Sequence, residues 1–132
     1  MGMTPELSVD IGGLRIKNPV IAASGTFGYG SELRPFYDPS LLGAIVVKGL
    51  SLKPMPGNPP PRIVETPCGL LNSIGLANIG IDAFIAEKLP LLADTAAPVI
   101  ANIYGHSIGE YGELAGKIEE VDGISAIEVN IS

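Results

Sequence analysis

Four short apolar runs punctuate the chain: Pro19-Val20-Ile21-Ala22-Ala23, Ala44-Ile45-Val46-Val47, Pro98-Val99-Ile100-Ala101-Asn102-Ile103 and Ala126-Ile127-Glu128-Val129-Asn130-Ile131. Near-continuous runs of this length, as in the first three, predict strands buried on both faces, and the last is read as a fourth strand. Between them the rhythm changes. Ala83, Phe84, Ala86 and Leu89 have helical spacing within Ile81 to Ala93, until Pro90 disturbs the end. Ser107 caps a second helix running to about Val121, with Ile108, Tyr111, Leu114, Ala115 and Ile118 on one stripe. Ser31 caps a short helix from Glu32 to Phe36. Two alternating pairs add hairpins: Leu7 to Ile11 with Leu14 to Lys17 across Gly12-Gly13, and Arg62 to Glu65 with Leu70-Leu71. The proline-rich stretch from Ser51 to Pro61 reads as an ordered surface excursion.

Strands alternating with helices predict an α/β fold with a parallel sheet and right-handed crossovers. The polar ends of the strands fall at Ser24, Lys48, Asn102 and Asn130, which are 24, 54 and 28 residues apart. Two of these intervals suit a plain βα unit, and the middle one holds an extra hairpin. This is the pattern of four units of a TIM (β/α)8 barrel, in which chemistry gathers at the C-terminal ends of the strands. A whole barrel needs about 250 residues. Residues 1–132 are therefore expected to be one domain, the N-terminal half of a barrel.

Composition narrows the picture. Apolar residues make up 46% and aromatics 5%, with no Trp, so the core must be Ile, Leu, Val and Ala. A net charge of -6 offers no basic face to displace counterions from nucleic acid. Cys68 is the lone cysteine, and no CxxC or His-rich spacing suggests a metal, which fits a reducing cytoplasm. No cationic and apolar leader or membrane-length apolar run is evident. Met1-Gly2 ahead of Met3 reads as a cloning remnant.

Candidate chemistry collects in the loops. In Asn72-Ser73-Ile74-Gly75-Leu76-Ala77-Asn78 two amides offer donors and acceptors without charge, Gly75 permits close backbone approach, and Ile74 and Leu76 supply an apolar lining; by itself the stretch reads as a turn between two strands, and its place among the strand ends makes it a candidate pocket. Lys48 closes an apolar strand; at a sheet edge it is either simply solvated or, at the mouth of a barrel, a fixed cation. At ~4 Å and an effective dielectric of ~20, its attraction for an anion is about 4 kcal/mol before desolvation. Ser24-Gly25 allows backbone contact with a flat ring, or is a simple glycine turn. Asn102 and Asn130 stand where apolar residues belong, so each needs a partner, from a neighbouring backbone group or a ligand. His106 has no acid or thiol placed to make it a base and reads as a loop residue leading into the helix. Cys68 reads as a spectator, and Glu119, Glu120 and Asp122 as a solvated helix end. Gly25 to Gly30 lacks dinucleotide-binding spacing.

Taken together, Ala23-Ser24-Gly25-Thr26-Phe27-Gly28, Val47-Lys48-Gly49, Pro56-Gly57-Asn58-Pro59-Pro60-Pro61-Arg62, the Leu71 to Asn78 run, Ala101-Asn102-Ile103 and Glu128-Val129-Asn130-Ile131-Ser132 resemble dihydroorotate dehydrogenase, most nearly the class 1 type B catalytic subunit. The resemblance implies oxidation of dihydroorotate to orotate in pyrimidine biosynthesis, with hydride transfer to FMN. Electrons would pass to NAD+ through a partner subunit carrying FAD and a 2Fe-2S cluster. It implies flavin contacts at Ala23, Ser24, Gly25, Lys48, Gly49, Asn102 and Asn130. Substrate contacts would be Lys48, Asn72, Ser73, Ile74, Gly75, Leu76 and Asn130. The family's base is a cysteine beyond Ser132 that Cys68 does not match, so no catalytic residue is assigned and the chain is expected to be inactive alone. A homodimer or a heterotetramer with the electron-transfer subunit is expected. The competing readings are a non-catalytic half barrel that self-associates through its open edge strands, and another phosphate-binding barrel enzyme.

Overall fold

A computed structural model describes residues 6–132; Met1-Gly2 and Met3 lie outside the described residues. The first hairpin pairs β1 (Val9–Ile11) with β2 (Leu14–Ile16), and Gly12 and Gly13 turn it at φ +60° and +97°. That is the positive-φ pair a two-residue hairpin turn demands. The main sheet comprises β3 (Ile21–Ala22), β4 (Ala44–Val46), β7 (Val99–Ile103) and β8 (Ala126–Val129), and is parallel throughout in the order β3-β4-β7-β8. Between β4 and β7 the second hairpin pairs β5 (Ile63–Thr66) with β6 (Gly69–Asn72).

One face of the sheet holds the core. Ile45 and Val47, with Val99, Ala101 and Ile103 of β7, pack in one cluster with Phe84, Leu89 and Leu92 and with Leu114 and Ile118 of helix α2 (Ile108–Glu119). Ser107 caps α2 by accepting from the Glu110 N–H at 3.3 Å. Within the expected stripe, Ile108 in the first turn of α2 is 93% exposed, while Leu114 and Ile118 are buried.

Three local expectations fail. First, Glu32 to Phe36 forms turns rather than a helix. Pro35 has no N–H to donate and disfavours helical backbone at Arg34. The Glu32 carboxylate instead accepts from the Tyr29 N–H at 2.9 Å. A short 3-10 turn, Pro39–Leu41, completes this crossover.

Second, residues 81–92 are helical but irregular: α1 (Ile81–Ala83) widens to a π-turn over Phe84–Lys88 and tightens to 3-10 over Leu89–Leu92. The buried residues are Ile81, Phe84, Leu89 and Leu92, while Ala86 is exposed. In an α-helix a five-residue step, Phe84 to Leu89, would point the two side chains about 140° apart. The i→i+5 bond from the Leu89 N–H to Phe84 O returns both to the core.

Third, the outer strands are not buried on both faces. In the first apolar run only Ile21–Ala22 is strand, half-buried, and Val20 is 58% exposed. In β8, Ile127 and Val129 are exposed. Both strands are edges of this sheet, and burial on two faces requires neighbours on both sides.

Candidate functional site

The C-terminal ends of the parallel strands are organised by a break in the ladder between β4 and β7. Val47 donates its N–H to Ile100 O at 3.0 Å, and pairing resumes only where Leu50 donates to Asn102 O at 2.9 Å. Three steps on one strand oppose two on the other, so Lys48-Gly49 is a bulge, which turns side chains out of the regular pleat. The freed Lys48 N–H donates to Gly28 O at 2.8 Å and ties the glycine-rich loop after β3 to this bulge. Tyr29 anchors the same loop: its ring packs on Phe84 with centroids 5.9 Å apart, and its hydroxyl accepts from the Ile79 N–H at 3.1 Å. Burial raises the Tyr29 pKa from its ordinary value, with a smaller opposing pull from the Ile79 hydrogen bond. Ala23 and Gly25 (φ +77°) are exposed at the head of this loop, and Ser24 is half-buried between them.

Asn102 sits in β7 next to the bulge, 3% exposed. Its Nδ2 donates to Glu128 Oε1, from the residue that faces it across the β7–β8 register. Its Oδ1 is buried and has no partner among the described residues. A Cβ on residue 49 would lie 2.8 Å from that oxygen, so only glycine leaves room for it. Lys48 is half-buried, and no hydrogen bond or ion pair to its ammonium is seen among the described residues.

Asn130 differs from expectation. The register pairs Asn102 with Glu128, so Asn130 lies beyond β8 and is not its counterpart. Its Oδ1 accepts from the Ser132 N–H at 3.0 Å and hydroxyl at 2.6 Å, so a local backbone group meets its need. Its N–H donates to Ile103 O at 2.9 Å and its carbonyl accepts from the Tyr111 hydroxyl, which fixes the end of β8 to β7 and to α2.

The Asn72 to Asn78 loop is fastened to the same end at one point. Asn78 is buried, and its Oδ1 accepts from the N–H groups of Ser51 and Gly80 at 3.2 and 2.8 Å. Its Nδ2 donates to the Ser51 hydroxyl and to Leu76 O, both at 2.9 Å. Asn78 is therefore architecture rather than a free amide. Gly75 (φ +72°) also has an internal role, since a Cβ there would lie 2.8 Å from the Asn58 N. Its openness admits the chain's own Asn58, whose Nδ2 donates to the Ser73 hydroxyl at 2.7 Å. Ile74 is half-buried and Leu76, at φ +54°, is 37% exposed. Asn72 is exposed at the end of β6, paired with Ile63.

The weaker candidates stay peripheral. Cys68 is free and exposed in the turn between β5 and β6. His106 is exposed, its N–H donating to Glu110 Oε2 at 2.7 Å. No cluster of His, Cys, Asp or Glu among the described residues could hold a metal. Two hollows, of about 520 and 550 Å3, share Val121, Asp122, Gly123 and Ser125 and lie by the N-terminal ends of β7 and β8, away from Lys48 and Asn102. Glu128 is the site residue that sequence reasoning missed: both the starts of the two apolar runs and their last asparagines pair Asn102 with Asn130, and only the ladder, in which Ile100 meets Ala126, sets Glu128 opposite Asn102.

Comparison with known proteins is consistent along the chain. The family model for dihydroorotate dehydrogenase matches residues 6–132. The catalytic subunit of dihydroorotate dehydrogenase B (NAD(+)) from Geotalea daltonii is 58% identical over 128 residues, covering 97% of this chain and 42% of that protein. Its namesake from Thermodesulfovibrio yellowstonii is 57% identical with the same coverage. The chain thus spans less than half the length of these curated relatives. Among solved structures, dihydroorotate dehydrogenase from Eimeria tenella in complex with ferulenol aligns with a TM-score of 0.69 at 23% identity, over 98% of this chain and 37% of that one.

Proposed function

The chain belongs to the dihydroorotate dehydrogenase family, and on that premise we propose that it supplies the N-terminal four βα units of a (β/α)8 barrel that oxidises (S)-dihydroorotate to orotate with FMN. The sequential strand order β3-β4-β7-β8 supports the barrel, because a sheet that closes on itself adds each strand beside the last. The observation that carries the site is the buried, unpartnered Asn102 Oδ1 beside the Lys48-Gly49 bulge at the strand ends. An acceptor left so costs roughly 1–3 kcal/mol, and a ring N–H repays it. A flavin fits this donor set: one acceptor, one cation, and the Ala23-Ser24-Gly25 backbone with little side chain in the way.

When bound, FMN supplies the hydride acceptor. Lys48 holds negative charge at the rim, either the substrate carboxylate or charge that builds on the reduced ring. Asn72, Ser73 and Asn130 offer hydrogen bonds to the acidic pyrimidine, with Ile74, Gly75 and Leu76 excluding water beside it. None of the residues present is assigned the base that takes the proton from the carbon, so turnover by this chain alone is not expected. Electrons leave to NAD+ through a separate subunit, a reading that the name of the relatives supports; the FAD and 2Fe-2S cluster of that subunit, the cytoplasmic location and the homodimer or heterotetramer follow from the family resemblance alone.

The test joins residues 1–132 to the remaining length of the Geotalea daltonii subunit. The chimera is expected to purify with a flavin absorbance spectrum that orotate perturbs, and Lys48→Ala to remove the orotate response. A folded, colourless chimera would overturn the reading, as would heat protection by sugar phosphates but not by orotate.

A further inference from the structure

An asparagine amide can be built with either end inward, and only its neighbours decide which. Here the neighbours are unequal. Glu128 offers a carboxylate, which can only accept, so Nδ2 must face it. On the other side the absent Cβ of Gly49 leaves space that Oδ1 occupies. The contact spans directly paired residues of β7 and β8, and the backbone on both sides is held by the ladder. Without Glu128 the amide would turn Nδ2 towards any acceptor, including the freed carbonyls of the bulge.

We propose that Glu128 is a positioning residue: it fixes the Asn102 amide with Oδ1 towards Gly49, so that the site presents an acceptor to an N–H of the bound ring. This rests on the flavin reading above. It adds a second clause to that reading, because the same carboxylate makes the site reject a ring that presents an acceptor at that point. Oδ1 is buried as it stands, so a ring N–H can meet it only if the backbone at Gly49 shifts on binding, which the Gly49 resonance reports.

The test uses the isotope-labelled chain. Without ligand, one Asn102 Nδ2 proton is expected far downfield, as for a hydrogen bond to a carboxylate. The signal should be lost in Glu128→Met, which keeps volume, and restored in Glu128→Gln, which keeps an acceptor. FMN is then titrated while the Gly49 resonance is followed. Glu128→Met should weaken binding about fivefold, Asn102→Ala about tenfold, and the double variant no more than Asn102→Ala, since the two act through one contact. An unmoved Nδ2 signal in Glu128→Met, or a Glu128 effect that persists undiminished without Asn102, would overturn the proposal. Failure of the unaltered chain to bind FMN would sink the flavin reading and this role in it, while the Nδ2 signal would still decide whether Glu128 orients the amide.

Discussion

A buried amide costs free energy unless its protons and lone pairs are met, and three asparagines answer that demand differently. Asn78 is met entirely within the chain, by Ser51, Leu76 and Gly80. Asn78→Ala strands at least two buried N–H groups, and urea unfolding should show a loss of about 2–4 kcal/mol. Asn102 keeps one oxygen unmatched, so Asn102→Ala should cost less than about 1 kcal/mol; equal losses would mean that Asn102 is structural too. Asn130 is only half-buried, and its Oδ1 alone is met, by Ser132. The sequence showed that Asn102 and Asn130 needed partners but not which, and it offered Asn78 as a free amide because its partner Ser51 stands 27 residues away. Tyr29 gives a pH test. Its folded pKa lies above the ordinary 10.0, so its stabilisation is full below pH 10 and is lost as pH rises through the folded value. The denaturation midpoint should fall on that alkaline limb and flatten in Tyr29→Phe; an unchanged limb would show that the ring titrates freely.

At the level of elements, amphipathic spacing located α2 and the helical segment after Ile81, yet it missed the π-turn. That turn exists because Glu87 and Lys88 occupy the positions where an α-helix would need apolar residues. Ser107 was legible as a cap, and Ser107→Ala should lower stability by about 1 kcal/mol; no change in melting would leave the Glu110 N–H satisfied by water. The Asn72 to Asn78 loop depends on glycine for a reason that no sequence pattern displays. A Cβ on Gly57 (φ +73°) would lie 2.3 Å from Ile74 O, and one on Gly75 would strike Asn58. Gly57→Ala should therefore detach residues 72–78 from the proline-rich segment, and limited proteolysis should cut there within minutes rather than hours. Unchanged cleavage would show that the loop is held elsewhere.

Across the whole molecule, four parallel strands in sequential order were legible from the spacing of Ser24, Lys48, Asn102 and Asn130. Burial was not, because it depends on what lies beside β3 and β8. Those edges, with Ile127, Val129 and Ile131 exposed, favour self-association of the isolated chain. Sedimentation should show species larger than a monomer at micromolar concentration, shifted towards monomer by Val129→Lys; a clean monomer would count against open edges. The central claim is that the ends of β3, β4 and β7 form one rim for a flat, acidic ring system. The most direct measurement is an amide shift map of the labelled chain titrated with FMN at millimolar concentration. Ser24, Gly25, Lys48, Gly49 and Asn102 are expected to move together with one dissociation constant. Movement confined to the hollow at Leu89, Val121 and Ser125, or separate constants for residues of the rim, would contradict it.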